Sequence, residues 1–222
     1  LINGTVPAIN LTVNYDIALG PGNYTIPFLN ITNAVLECQG NETDVNADSG
    51  GSSGNPHGSG CVINSINITI NSGAALSADI LGFQALKGPG TVSGSQGASY
   101  GGLGGSQTNF SKTYGSVTQP TALGSGAQTN ISYGGGAIKL NASDTIILNG
   151  NITAKGSGGY YSSTVSGGAG GSIWIISNNL LVTYIYCMSN VINCQSSFNV
   201  IIHPLPSYPL IVPLLLRWSI SF

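Results

Sequence analysis

The 33 glycines of this chain constrain its fold more than any other feature. Glycine weakens helix interiors and settles where the backbone turns or where two backbones meet closely. Here the glycines follow no collagen period. They cluster as Gly50-Gly51, Gly101-Gly102, Gly104-Gly105, Gly134-Gly135-Gly136, Gly158-Gly159, Gly167-Gly168 and Gly170-Gly171, between short apolar runs rich in β-branched residues. No window keeps an i, i+3, i+4, i+7 apolar pattern without meeting Gly, Pro or Asn, so no amphipathic helix of useful length is expected. The pattern predicts many strands and many turns.

Charge excludes several functions. Only 5% of residues are charged and the net charge is -2. Lys87, Lys112, Lys139, Lys155 and Arg217 are scattered singly, whereas phosphate backbones require clustered cations, so nucleic acid is not a partner. A hydrophobic fraction of 41% supplies material for a core, which charge-rich disordered chains lack.

Two features point to an oxidising, extracellular compartment. The cysteines fall as Cys38 with Cys61 and Cys187 with Cys194. Their spacing fits no zinc module, and two disulfides are expected, although four cysteines allow three connectivities. Asn-X-Ser/Thr sequons occur at Asn3, Asn10, Asn23, Asn30, Asn41, Asn67, Asn109, Asn130, Asn141 and Asn151. The Asn, Ser and Thr content predicts only about 4 by chance. In Asn10-Leu11-Thr12-Val13 and Asn67-Ile68-Thr69-Ile70, strand alternation sends Asn and Thr to one face and aliphatics to the other. N-linked glycans are expected there, supplying the solvation that charges do not. No cofactor or metal is expected. The chain opens without a signal-peptide pattern and reads as mature or excised material.

Strands are expected at 9–13, 24–28, 34–38, 61–63, 66–70 and 75–80, interrupted by Gly20-Pro21-Gly22 and by a loop over 48–60 that a Cys38–Cys61 bridge would close. Residues 88–136 have the composition of a linker, but Tyr100, Phe110, Tyr114 and Tyr133 recur among the glycines and predict ordered, packed loops. Further short strands follow at 137–140, 145–150, 151–156 and 171–175. Short strands, glycine corners and no helices predict an all-β right-handed parallel β-helix with long Gly-rich loops; a β-sandwich is the alternative. The tail from 198 to 222 is apolar but carries six interruptions: His203, Pro204, Pro206, Pro209, Pro213 and Arg217. It therefore predicts no membrane span.

The order Gly88-Pro89-Gly90, Gly97-Ala98-Ser99-Tyr100-Gly101-Gly102, Tyr114-Gly115, Gly134-Gly135-Gly136-Ala137-Ile138, Leu148-Asn149-Gly150-Asn151-Ile152-Thr153-Ala154-Lys155-Gly156 and Gly167-Gly168-Ala169-Gly170-Gly171-Ser172-Ile173-Trp174-Ile175 resembles the glycine-rich parallel β-helix region of large extracellular and cell-surface proteins of plants, algae and protists, whose function is uncharacterised. The resemblance spans about residues 34–180. It implies a secreted or surface β-helix and supplies no catalytic residues. The expected organisation is an N-terminal strand segment at 1–33 available for donation to a neighbour, a Gly-rich body at 34–180, and a Pro-rich extension or cap at 181–222.

Chemistry has little support. The carboxylates are Asp16, Glu37, Glu42, Asp44, Asp48, Asp79 and Asp144, and only 37–48 brings several close together. A glycosidase needs two across one cleft, and these read instead as loop solvation. Asp44-Val45-Asn46-Ala47-Asp48 alternates oxygen ligands like a calcium loop, but Ser49 stands at the turn glycine and no bidentate Glu follows, so an Asx-rich turn is preferred. Neither His57 nor His203 belongs to a Ser-His-Asp pattern. Trp174 is expected in the core or on the sheet surface rather than as a sugar platform. The expectation is a non-enzymatic, N-glycosylated subunit of an extracellular fibril or surface coat, assembling head to tail with itself. A carbohydrate-binding adhesin module is the alternative, and a polysaccharide-active enzyme comes third.

Overall fold

The computed structural model describes residues 10–91, 96–105, 112–127, 132–158, 166–182 and 202–203. Among these, eleven strands lie in two sheets: β1 (Leu11–Val13), β2 (Ile17–Leu19), β3 (Gly22–Thr25), β4 (Phe28–Ile31), β5 (Val35–Cys38), β6 (Cys61–Ile70), β7 (Ala75–Ser77), β8 (Ala137–Leu148), β9 (Asn151–Thr153), β10 (Ser172–Val182) and β11 (Ile202–His203). The larger sheet runs β1-β4-β6-β8-β10-β11, with β3 also on β6, and the smaller runs β2-β5-β7-β9. Every pairing between these strands is parallel. No α-helix occurs among the described residues, only a 3-10 turn at Ala47–Ser49.

The expectation of a right-handed parallel β-helix is therefore corrected, and so is the β-sandwich alternative. The strands form two parallel sheets of unequal size without closing into a solenoid, whereas the sandwiches considered pack antiparallel sheets. Parallel sheets normally have both faces covered, usually by crossover helices. Here the sheets bury their inner faces together, and the described residues include no crossover helix. One apolar cluster joins Leu19, Leu36 and Leu76 of the smaller sheet to Ile63, Ile68, Ile70 and Ile146 of the larger, all fully buried.

The long strands explain why the chain reads as short ones. The runs 61–63 and 66–70 are one strand, β6, and 137–140 and 145–150 mostly merge into β8. Ser65-Ile66, Ser143-Asp144 and Ser177-Asn178 look like breaks in sequence. In space they meet at one bulge, where Ser143-Asp144 of β8 face the single residues Ile66 of β6 and Asn178 of β10, so the register slips between Ser65 and Asn67 and again between Ser177 and Asn179. Pro27 makes the matching interruption between β3 and β4. It has no amide to donate, but its carbonyl accepts from Ile66 N at 2.8 Å and Asn67 N at 3.2 Å, and Ser65 Oγ donates to Ile26 O at 2.6 Å.

The described Gly-rich segments are ordered without being strands. Successive amides leave in three directions: Gly134 N donates to Phe83 O at 2.8 Å, Gly135 N to Ala169 O at 2.9 Å and Gly136 N to Ala78 O at 2.7 Å. A ladder cannot form when neighbouring donors face different segments of the chain. Absence of side chains permits this packing. A Cβ at Gly134 would stand 1.8 Å from Gly124 O, and one at Gly171 would stand 1.7 Å from Gly136 O.

Residues 11–31 of the expected N-terminal segment pair within their own chain, β1 on β4 and β4 on β6. No helix among the described residues is long and apolar enough to cross a membrane.

Candidate functional site

Alternation along the long strands gives the larger sheet a polar outer face. On β6, Ile68 and Ile70 are fully buried while Asn67 and Thr69 are half-exposed. Parallel register then stacks like residues into columns, and their amides bond along the sheet. Asn141 Nδ2 donates to Asn64 Oδ1 at 3.1 Å, and Asn64 Nδ2 donates to Asn23 Oδ1 at 2.5 Å. Asn71 Nδ2 donates to Asn30 Oδ1 at 2.7 Å.

The sequons divide by exposure. Asn10, Asn23, Asn41 and Asn151 are exposed, whereas Asn30, Asn67 and Asn141 are half-buried. Asn3, Asn109 and Asn130 lie outside the described residues. At Asn67 the bulge uses the side chain, whose Oδ1 accepts from Thr145 N at 3.0 Å. At Asn41 the amide oxygen accepts from Thr43 N at 3.1 Å and Thr43 Oγ1 at 2.9 Å, an Asx turn that holds the sequon on an exposed loop. Glycopeptide mass spectrometry of the chain expressed through the secretory pathway of a eukaryotic host should find Asn10, Asn23, Asn41 and Asn151 more fully occupied than Asn67 and Asn141. Higher occupancy at the latter pair would show that exposure in this fold does not govern modification.

Cys38 ends β5 and Cys61 begins β6, so the pair spans the two sheets at the base of the 39–60 loop. Both are buried free thiols, and Cys61 Sγ donates to Gly20 O at 3.6 Å. Burial, then interaction with the Cys61 side chain, pushes the Cys38 thiol well above its usual range, which keeps it protonated. Cys187 and Cys194 lie outside the described residues. Oxidation of Cys38 with Cys61 should stabilise the fold by about 3 kcal/mol through the loop it closes. Non-reducing peptide mapping of chain expressed through a eukaryotic secretory pathway should recover Cys38 linked to Cys61, and a Cys38–Cys187 peptide would refute this pairing.

That loop is tied down by polar groups rather than built around a ligand. Asn46, at φ 49, donates from Nδ2 to Thr121 O at 3.0 Å, and its Oδ1 accepts from Ser49 Oγ and Thr121 Oγ1. His57 is buried; its Nδ1 lies 2.9 Å from Ser49 O and so carries the proton. Its ring meets Tyr114 edge-on at 5.0 Å, and Tyr114 meets Tyr100 in the same way. The hydroxyls are used as well. Tyr114 donates to Leu123 O, Ser125 Oγ donates to Tyr114, and Tyr100 shares a 2.7 Å bond with Ser172 Oγ. Burial raises the pKa of both tyrosines. The tyrosines that recur among the glycines thus anchor the Gly-rich segments.

Five of the seven carboxylates have structural partners. Asp16 accepts from Val35 N, Glu42 from Gln84 N and Lys87, Asp79 from Lys155 N, and Asp144 from Asn179 Nδ2. Asp44 accepts from Asn46 N at 3.4 Å, the contact of an Asx turn. Glu37 and Asp48 are exposed. No group of three metal-ligating side chains occurs among the described residues. Asp44, Asp48, Thr121, Ile138 and Lys139 line a groove of 420 Å³. Trp174 stands beside Lys139 in register, with the ammonium 3.9 Å from its ring centroid, and is only 9% exposed. Its face is covered rather than open to a sugar.

Among the described residues, β1 and β3 border one end of the larger sheet and β10 and β11 the other. No family profile, curated protein or solved structure matches this chain.

Proposed function

We propose that this chain is a structural subunit of an extracellular glycoprotein fibril or surface coat, assembling end to end with copies of itself. The observation that carries the reading is the pair of different, uncharged edges at opposite ends of an all-parallel sheet. Sheet edges are templates for further strands, and soluble proteins usually blunt them with Lys, Pro or short bulged strands. Leu11-Thr12-Val13, though only three residues long, and Asn179-Leu180-Leu181-Val182, just past the bulge, carry neither Lys nor Pro. Because the two ends differ, their contact is heterologous, and a heterologous contact that does not close produces a filament.

Glycans on the outer face would oppose lateral association and leave the ends as the available contacts. The sequon count, the apposed Cys38 and Cys61 and the scarcity of charge all fit an extracellular material protein. A carbohydrate-binding module is less well supported, because Trp174 is covered. Electron microscopy and sedimentation of the glycosylated chain, secreted from a eukaryotic host, test the proposal. Filaments whose length grows with concentration are expected. A chain that stays monomeric at every concentration overturns it.

A further inference from the structure

The ends of the larger sheet have complementary shapes. The bulge column divides the sheet into a first half, containing Cys61–Asn64, and a second half, containing Asn67–Ile70. At one end, β3 is outermost over the first half, pairing with Cys61–Asn64. Over the second half β4 takes that layer, and β1 lies one strand further out. At the opposite end, among the described residues, β10 is outermost over the second half, while β11 lies one strand beyond it over the first, on Ile175 and Ile176. Each end is a step one strand high, and the steps are on opposite halves.

From this geometry we infer that β10 of one copy receives β1 of the next at Leu180–Val182, while β11 receives β3. This deepens the end-to-end reading and rests on it. The register follows from columns already present. One runs Leu11, Leu29, Ile68, Ile146, Leu180; the next runs Thr12, Asn30, Thr69, Ile147, Leu181; the third runs Val13, Ile31, Ile70, Leu148, Val182. Placing Leu11 of a second copy on Leu180 continues all three. Core meets core in the first and third columns, and the outer face continues in the second. In the other half, Tyr24 and Thr25 share columns with Ile202 and His203, so the same displacement seats β3 on β11.

The repeat is five strand spacings, about 24 Å at about 4.8 Å each. Over that repeat the smaller sheet supplies four described strands, so the joint is formed by the larger one. Leu181, 56% exposed in the single chain, becomes the cross-strand neighbour of Thr12.

Thr12 and Leu181 belong to opposite ends of one chain but meet in the joint, so a charge-swap cycle reads the contact between copies. All variants carry Asn10→Gln, because replacing Thr12 destroys the Asn10 sequon. Thr12→Lys with Leu181→Lys places like charges directly opposite and should raise the critical concentration for filaments about tenfold or more. Thr12→Lys with Leu181→Glu should restore it to within about threefold of the Asn10→Gln parent. Circular dichroism should show the same strand content in all three. If both double variants assemble like the parent, or both fail equally with strand content intact, this joint is wrong while end-to-end assembly stands. A parent that never assembles overturns the reading beneath it.

Discussion

Gly171→Ala should destabilise the chain by about 3 kcal/mol or more, whereas Gly158→Ala should change its stability by no more than about 1 kcal/mol, towards greater stability. Both changes add one methyl group to a glycine of the same Gly-rich region. At Gly171 the new Cβ would lie 1.7 Å from Gly136 O and 2.6 Å from Gly135 C. These are backbone atoms, so no rotamer change relieves the overlap. Moving them strains the bonds from Gly135 N to Ala169 O, Gly136 N to Ala78 O and Ser172 N to Gly136 O. At Gly158 nothing lies within 4 Å and the residue is exposed, so its effect comes from reduced freedom in the unfolded chain. Urea midpoints of the two variants against the parent check this. Equal effects would mean that the backbone contacts at Gly171 do not hold the segment.

The two glycines illustrate what the sequence reveals and what it conceals. Clustering signals turns and close approaches, but the identity of the facing backbone depends on contacts tens of residues away. Gly171 meets Gly136, and Gly134 meets Gly124. Strand positions were more legible. The 34–38 run is β5 within one residue, and the apolar 171–175 run begins β10. The short β2, Ile17-Ala18-Leu19, escaped because it follows Asp16 and precedes Gly20 too closely to show a pattern. Its order comes from tertiary contacts, including Asp16 Oδ1 accepting from Val35 N at 2.8 Å.

The fold class was misread for a related reason. Ser65, Ser143 and Ser177 have the look of loop residues, so three long strands appeared as a succession of short rungs. Whether a polar residue ends a strand or sits in a bulge depends on what its neighbours supply. Pro27 O and the Asn67 side chain supply it here, and neither pairing is visible along the chain. The sequons were legible as a list and as an alternation. Their exposure was not, because the half-burial of Asn67 and Asn141 follows from the stacking of β6 on β8. The sheet edges were also hidden, since an edge is defined by which strands fail to find a neighbour.

Ile68→Ala should cost about 2–5 kcal/mol, while Thr69→Ala one position on should cost no more than about 0.5 kcal/mol. Ile68 is fully buried in the middle of the column running from Leu11 to Leu180, between Leu29 and Ile146, which are themselves buried. Both neighbours are held by parallel ladders on either side, so they cannot collapse into the space that truncation leaves. The penalty therefore contains a cavity contribution as well as the lost transfer of the side chain from water. Thr69 faces outward beside Asn30 and Ile147, and water fills its place. Denaturant unfolding of dilute, non-glycosylated chain, below the concentration at which the proposed filaments form, isolates this effect from assembly and from the loss of the Asn67 sequon that Thr69→Ala entails. A cost at Thr69 equal to that at Ile68 would invert the assignment of the two faces, and with it the outward placement of the Asn columns.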